Sequence, residues 1–226
     1  MNFSDLYKKI SDIPIGDFPS SALSGLLHGY ISVFSMVRVN PWLEEVYGSQ
    51  WDIHERIREI AGELADLVND PSISLEERVV HVADLLETYL MYSDMDFLDI
   101  ALEAAYEIIS PEGSDEIVLP CRTPEMCRLL CSCYYFTGEE RCMKGIKEIV
   151  KVKREKYGEI KEMWKWWRMI EFYKSIMGSE DEYKENLDIM RKCILIGLNE
   201  QVNMNNIEEF ILCFDVLATN EYSHLE

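Results

Sequence analysis

The sequence predicts an all-α protein: a right-handed α-α superhelix of about four stacked helical hairpins plus a C-terminal helix. Three observations carry this. Turn signals recur at Gly48, Ser93-Asp94, Gly138 and Gly178, spaced by 45, 45 and 40 residues. The stretches between them hold apolar residues at the helical i, i+3, i+4, i+7 interval. No stretch alternates apolar and polar residues between hairpin turns, as a half-buried strand does. Even spacing matters because one helix pair cannot bury its apolar face alone, so successive pairs must lie side by side.

The periodicity defines the elements in order. Helices are expected at about 3–11, 20–38, 41–47, 51–69, 75–92, 95–109, 124–136, 139–157, 159–177, 180–197 and 205–218. Ile57, Ile60, Ala61, Leu64 and Val68 mark the fourth. Val79, Val82, Leu86 and Tyr89 mark the fifth, and Ile207, Phe210, Ile211, Phe214 and Leu217 the last. Ser74 with Glu77, Ser179 with Glu182 and Asn205 with Glu208 have capping-box spacing. Asn40-Pro41 and Thr123-Pro124 place a capping residue before a first-turn proline. Gly48, Gly138, Gly158 and Gly178 suit the left-handed residue that ends a helix. Segment 159–177 carries apolar residues on two faces and is expected to be the most buried helix of the C-terminal half. One domain over 1–226 is expected, with a weak seam at 110–122 where Pro111, Gly113, Ser114 and Pro120 cluster.

The net charge of −20 disfavours direct contact with nucleic-acid phosphates or anionic lipid, both of which select Lys and Arg. The charge is uneven, with ten Lys/Arg against four Glu between Arg141 and Arg168. Either these basic helices are neutralised by acidic neighbours or they form a patch for an acidic partner. No run of about 18 uninterrupted apolar residues and no secretory leader pattern is present, so a cytoplasmic location without membrane contact is expected. The odd count of seven cysteines fits reduced, buried thiols.

The residues at 123–138, Thr-Pro-Glu-Met-Cys-Arg-Leu-Leu-Cys-Ser-Cys-Tyr-Tyr-Phe-Thr-Gly, lead into a return helix. Small residues, Tyr near the helix end and Gly before the return resemble the tetratricopeptide (TPR) helical hairpin. Phe172-Tyr173 with Gly178, and Tyr92 with Asp94, repeat the pattern over roughly 75–197. The interval here is 40 to 45 residues rather than about 34; Met143 occupies the usual small position, and the closing Pro is absent. The resemblance implies a superhelical scaffold that binds a protein partner. Cys127-Arg128-Leu129-Leu130 followed by Cys133-Tyr134, with the helix that starts at Ser74 upstream, is similar to bacterial regulators of the UpxZ type. That likeness implies inhibition of a transcription antitermination factor.

Candidate chemistry is sparse. Cys127, Cys131, Cys133 and Cys142, with Cys121 just before, lack knuckle spacing, and a helix turns Cys133 about 160° from Cys131. They read as small packing residues. The one E-x-x-H, Glu221 to His224, reads as a frayed tail, and Glu77 with His81 as a surface pair. Asp94, Asp96 and Asp99 read as helix-start acids rather than a calcium loop, which needs a sixth-position Gly. Gly25 and Gly29 lie in an apolar helix without the Lys-Ser/Thr of a phosphate loop. No cofactor, metal or enzymatic activity is expected. Trp164, Trp166 and Trp167 interleave with Lys165 and Arg168, either as core aromatics with solvated cations beside them or as a binding hot spot. Lys161, Trp164, Lys165, Trp166 and Arg168 are therefore the candidate partner-binding residues. The function expected is a non-enzymatic scaffold or adaptor that binds a peptide or helix of a protein partner. Two alternatives stay open: a regulator that inhibits a nucleic-acid-associated factor by direct binding, and a helical-toroid enzyme with an acidic cavity.

Overall fold

Local capping chemistry sets several of the helix boundaries. The structure, a computed structural model, describes residues 2–92, 95, 97–110, 117–150, 159–178, 184–201 and 206–225. It is all-α: α1 (Phe3–Ser11), α2 (Ser20–Val39), α3 (Glu44–Tyr47), α4 (Gln50–Val68), α5 (Leu75–Tyr92), α6 (Leu98–Ile109), α7 (Pro124–Thr137), α8 (Glu140–Val150), α9 (Ile160–Met177), α10 (Lys184–Gln201) and α11 (Ile207–Leu225). Short 3-10 turns at 15–17 and 41–43 complete it, and no strand occurs among the described residues.

The Ser74/Glu77 box forms as its spacing predicts. The Ser74 N–H donates to Glu77 Oε2 at 3.0 Å and the Glu77 N–H to Ser74 Oγ at 3.2 Å. Thr123 Oγ1 accepts the Met126 N–H, and Gly138 and Gly178 end their helices in the left-handed region at φ 68° and 65°. Asn40 differs: its side chain makes no cap bond, because Pro41 starts a 3-10 turn rather than a regular helix. The boxes at Ser179 and Asn205, with Ser93-Asp94, Asp96 and Gly158, lie outside the described residues; Asn206 makes a cap bond of its own, to the Glu208 N–H at 3.0 Å. Residues 111–116 of the seam at 110–122 also lie outside them.

Two readings are corrected. The tail is not frayed: α11 continues to Leu225, with Thr219 within 3.3 Å of Ser32 and Ala218 fully buried. The most buried helix of the C-terminal half is α7, in which every residue from Pro124 to Cys133 is buried; α9 is buried only at Trp164, Trp166, Trp167 and Met169. The reason is position, since α7 touches α5, α6, α8 and α9.

The chain forms two compact units. One comprises 1–64 and 201–226, the other 65–200. In the first, α2 lies along α11. Gly25 and Gly29, one turn apart, let them meet: a Cβ at Gly25 would stand 3.0 Å from Ile211 Cγ2, and one at Gly29 would collide with the Phe214 ring. Phe214 stacks on Phe3 at 6.0 Å and meets Tyr30 edge-on at 5.4 Å, while Tyr7 donates to the Tyr47 carbonyl. By length and composition α2 is able to span a membrane, and 67% of that apolar stretch is buried inside the protein.

In the second unit α5 packs on both α6 and α7, and α7 on both α8 and α9. Gly145 brings α8 against α7, since a Cβ there would lie 2.9 Å from Leu130.

Candidate functional site

Charged side chains cross the interfaces between α5, α7 and α9. Asp84 and Glu87 stand three residues apart on α5, an interval that puts both on one face. Arg128 stands on α7 within the apolar run Met126-Cys127-Arg128-Leu129-Leu130. Its Nη2 donates to Asp84 Oδ1 at 2.6 Å and its Nε to Glu87 Oε1. All three are buried, with relative exposures of 4, 0 and 6%. One turn earlier on α7, the buried Glu125 accepts from Lys165 Nζ of α9 at 3.4 Å, and Glu162 accepts from the same ammonium at 3.3 Å.

Burial opposes the charge on Arg128, but the carboxylates of Glu87 and Asp84 outweigh it and its pKa is raised. The same balance holds for Lys165, where burial is outweighed by Glu125 and Glu162. Burial at such a site leaves an ion pair little net stability over an apolar substitute, yet makes the loss of one partner expensive. The pairs therefore act chiefly as register pins between adjacent helices.

His81, one turn before Asp84, is 3% exposed, and its Nδ1 has no hydrogen-bond partner. Burial lowers its pKa, partly offset by Asp84 and Glu77. It is not half of a surface pair with Glu77: Glu77 is exposed and bonded to Ser74, while His81 faces the interior.

The expected partner-binding residues divide. Trp164 and Trp166 are buried at 4 and 3%, so they pack within the fold and offer no stacking surface. Trp164 stacks on Trp167 at 4.7 Å, and Trp167 Nε1 donates to the Leu187 carbonyl of α10. The cations reach further out. Lys161 is exposed, Lys165 is about one-third exposed, and the Arg168 guanidinium lies 5.7 Å from the Trp164 ring centre. Lys161, Lys165 and Arg168 follow i, i+4, i+7 and so share one side of α9.

Sequence reasoning missed Asp84, Glu87, Glu125 and Arg128 as a set. The available signal was an arginine inside an apolar run, a placement that demands a buried counter-charge.

Cys127, Cys131, Cys133, Cys142 and Cys213 are buried, Cys121 is half-buried and Cys193 exposed. Burial pushes the Cys133 thiol up to about 12 and those of Cys142 and Cys213 up to about 11. Cys131 is raised by its hydrogen bond with Cys127 and by burial. Nucleophilic attack needs the thiolate, which these settings disfavour.

Comparison with protein-family models, with curated proteins and with solved structures finds no match to this chain.

Proposed function

We propose that this chain is a non-enzymatic protein-interaction scaffold of the helical-repeat type, with residues 75–201 arranged as a TPR-like superhelix. One observation carries the reading. The ion pairs that pin α5 to α7 and α7 to α9 join residues 44, 41 and 40 positions apart. The turn signals recur at nearly the same interval, 45 and 40 residues. Contacts at one repeat length mean that equivalent positions of successive hairpins meet, as in a stacked array. In that arrangement α5, α7 and α9 are the first helices of their pairs and line one face.

The ligand is a peptide or helix of a partner protein, laid across the first-helix face and held in part by Lys161, Lys165 and Arg168 on α9. A face held by buried ion pairs and packed aromatics is ordered before the partner arrives, so binding costs little ordering on this side. The test is affinity capture from the native lysate with the tagged full chain, at physiological salt, beside a Lys161→Glu chain, changed at the most exposed of the three cations, with an unchanged melting curve. Specific protein recovered by the first and lost by the second supports the scaffold. Recovery of nothing, or the same proteins by both, overturns it.

A further inference from the structure

The inner face of α10 is packed. Leu187, Met190, Ile194 and Leu198 are buried, and the Leu187 carbonyl accepts from Trp167 of α9. A Cβ at Gly197 would stand 2.8 Å from Ile160 Cδ1. The outer face is apolar at its centre and uncovered. A turn of about 100° per residue carries Ile189 and Ile196 to that side, where they are 54% and 58% exposed. They lie on one line along the helix, about 10.5 Å apart. Midway between them stand Lys192 and Cys193, both exposed, each about 40–60° to one side of that line. Positions 189, 193 and 196 follow i, i+4, i+7, so the two isoleucines and the thiol form one continuous stripe.

The isoleucines are symmetric about the point between 192 and 193, and that symmetry names the occupant. A two-fold contact pairs a surface with itself. Two α10 helices lying antiparallel about that point set each Ile189 against Ile196 of the second copy. The axis also returns each flank to itself, which brings the two Cys193 thiols side by side. On the other flank Lys192 meets its own kind, and Asp188, one turn before it on the same side, tempers the repulsion. Charge agrees. The chain carries −20, yet α10 is neutral over its whole length, with Lys184, Arg191 and Lys192 against Glu185, Asp188 and Glu200. Two acidic copies therefore meet through it without local repulsion. Anionic lipid and nucleic acid need an excess of Lys and Arg, which this helix lacks.

We infer that α10 joins two copies of this chain in a weak antiparallel homodimer centred between Lys192 and Cys193. A contact one helix long, about 27 Å, falls short of the ~800 Å² per partner of a standard interface, so association depends on concentration. The contact uses none of Lys161, Lys165 and Arg168.

The test is sedimentation velocity of the full, reduced chain from about 5 to about 500 μM. The expected result is a monomer–dimer equilibrium with a Kd on the order of 100 μM, no weaker at about 0.5 M salt than at about 0.15 M. Ile189→Gln with Ile196→Gln leaves every charge in place and, both side chains being exposed, leaves the melting curve unchanged. It weakens the dimer at least about tenfold, the scale of lost central anchors. Diamide, which oxidises paired thiols to a disulfide, gives a covalent dimer of the unaltered chain, linked Cys193 to Cys193 in peptide maps. Cys193→Ser abolishes that link, and the glutamine variant slows it severalfold. A chain that stays monomeric throughout the range overturns the proposal. So does a dimer that the glutamine variant leaves intact, which places the contact elsewhere. A dimer that resists cross-linking at Cys193 overturns the antiparallel arrangement, and equal cross-linking in the glutamine variant means chance collision and overturns it too. A different protein that co-purifies through the same isoleucines, with no self-association, assigns the face to another partner and also overturns it.

Discussion

Arg128→Met removes the guanidinium from the α5–α7 interface while keeping a side chain of similar reach, so the apolar stem contacts survive. Lost with it are two charge-assisted bonds, to Asp84 and Glu87, in a site where all three residues are 6% exposed or less. Such bonds contribute about 1.5–3 kcal/mol each, and removing one side of a buried ion pair costs about 3–5 kcal/mol because the remaining charge is stranded. The expected loss is therefore about 3–5 kcal/mol, out of a total stability on the order of 5–15 kcal/mol. For a chain of this length that lowers the thermal midpoint by roughly 6–20 °C. Urea unfolding followed by circular dichroism reads it directly. The stranded carboxylates hold their protons to higher pH in the folded state than in the unfolded one, so the deficit shrinks as pH falls from about 7 to about 5. Adding Asp84→Asn and Glu87→Gln to Arg128→Met removes the charges and recovers more than half the loss. A deficit below about 1 kcal/mol, or one that ignores pH, would refute the claim that these groups form a buried charged pin.

Three more predictions follow from geometry already described. Gly29→Ala places a methyl into the Phe214 ring and destabilises the first unit by about 1–3 kcal/mol; an unchanged melting temperature would show that α2 and α11 are not in close contact. His81 has a folded pKa lowered from 6.5 by burial, so the unfolded state binds its proton first. Stability is complete above pH 6.5 and falls as pH drops from there toward the lowered folded value; His81→Gln should flatten that part of a stability–pH curve. Of the seven thiols, Cys193 should react first with iodoacetamide in the native protein, because it alone is exposed; peptide mapping after brief alkylation checks this, and early labelling of Cys133 would contradict its burial.

Helix starts were legible because they are short-range. The Ser74/Glu77 box and the Thr123 cap need only a side chain and the next turn of backbone, both written within four residues. The turn interval was legible, and the ion pairs that join α7 to α5 and to α9 span 44, 41 and 40 positions, close to that interval. What the sequence hid was partnership at long range. Ser21 bonds Glu208 across 187 positions, and nothing local to α2 names α11 as its neighbour. Gly25 and Gly29 were visible as small residues in an apolar helix, but small residues show that something approaches, not what. Residue type alone does not separate the tryptophans of α9, buried at 8% or less, from Trp42 and Trp51, about two-thirds exposed, because burial depends on neighbours distant in the chain.

The close seat of α11 on α2 has a consequence during synthesis. Residues 20–39 leave the ribosome long before the helix that covers their apolar side, since α11 begins only at Ile207. Until α11 is made that greasy stretch has no native cover from it, while residues 65–200 emerge in between as one unbroken run. A chain cut short before 207 would keep the second unit's full sequence and expose the first unit's interior, a species destined for chaperones or degradation rather than for partial activity.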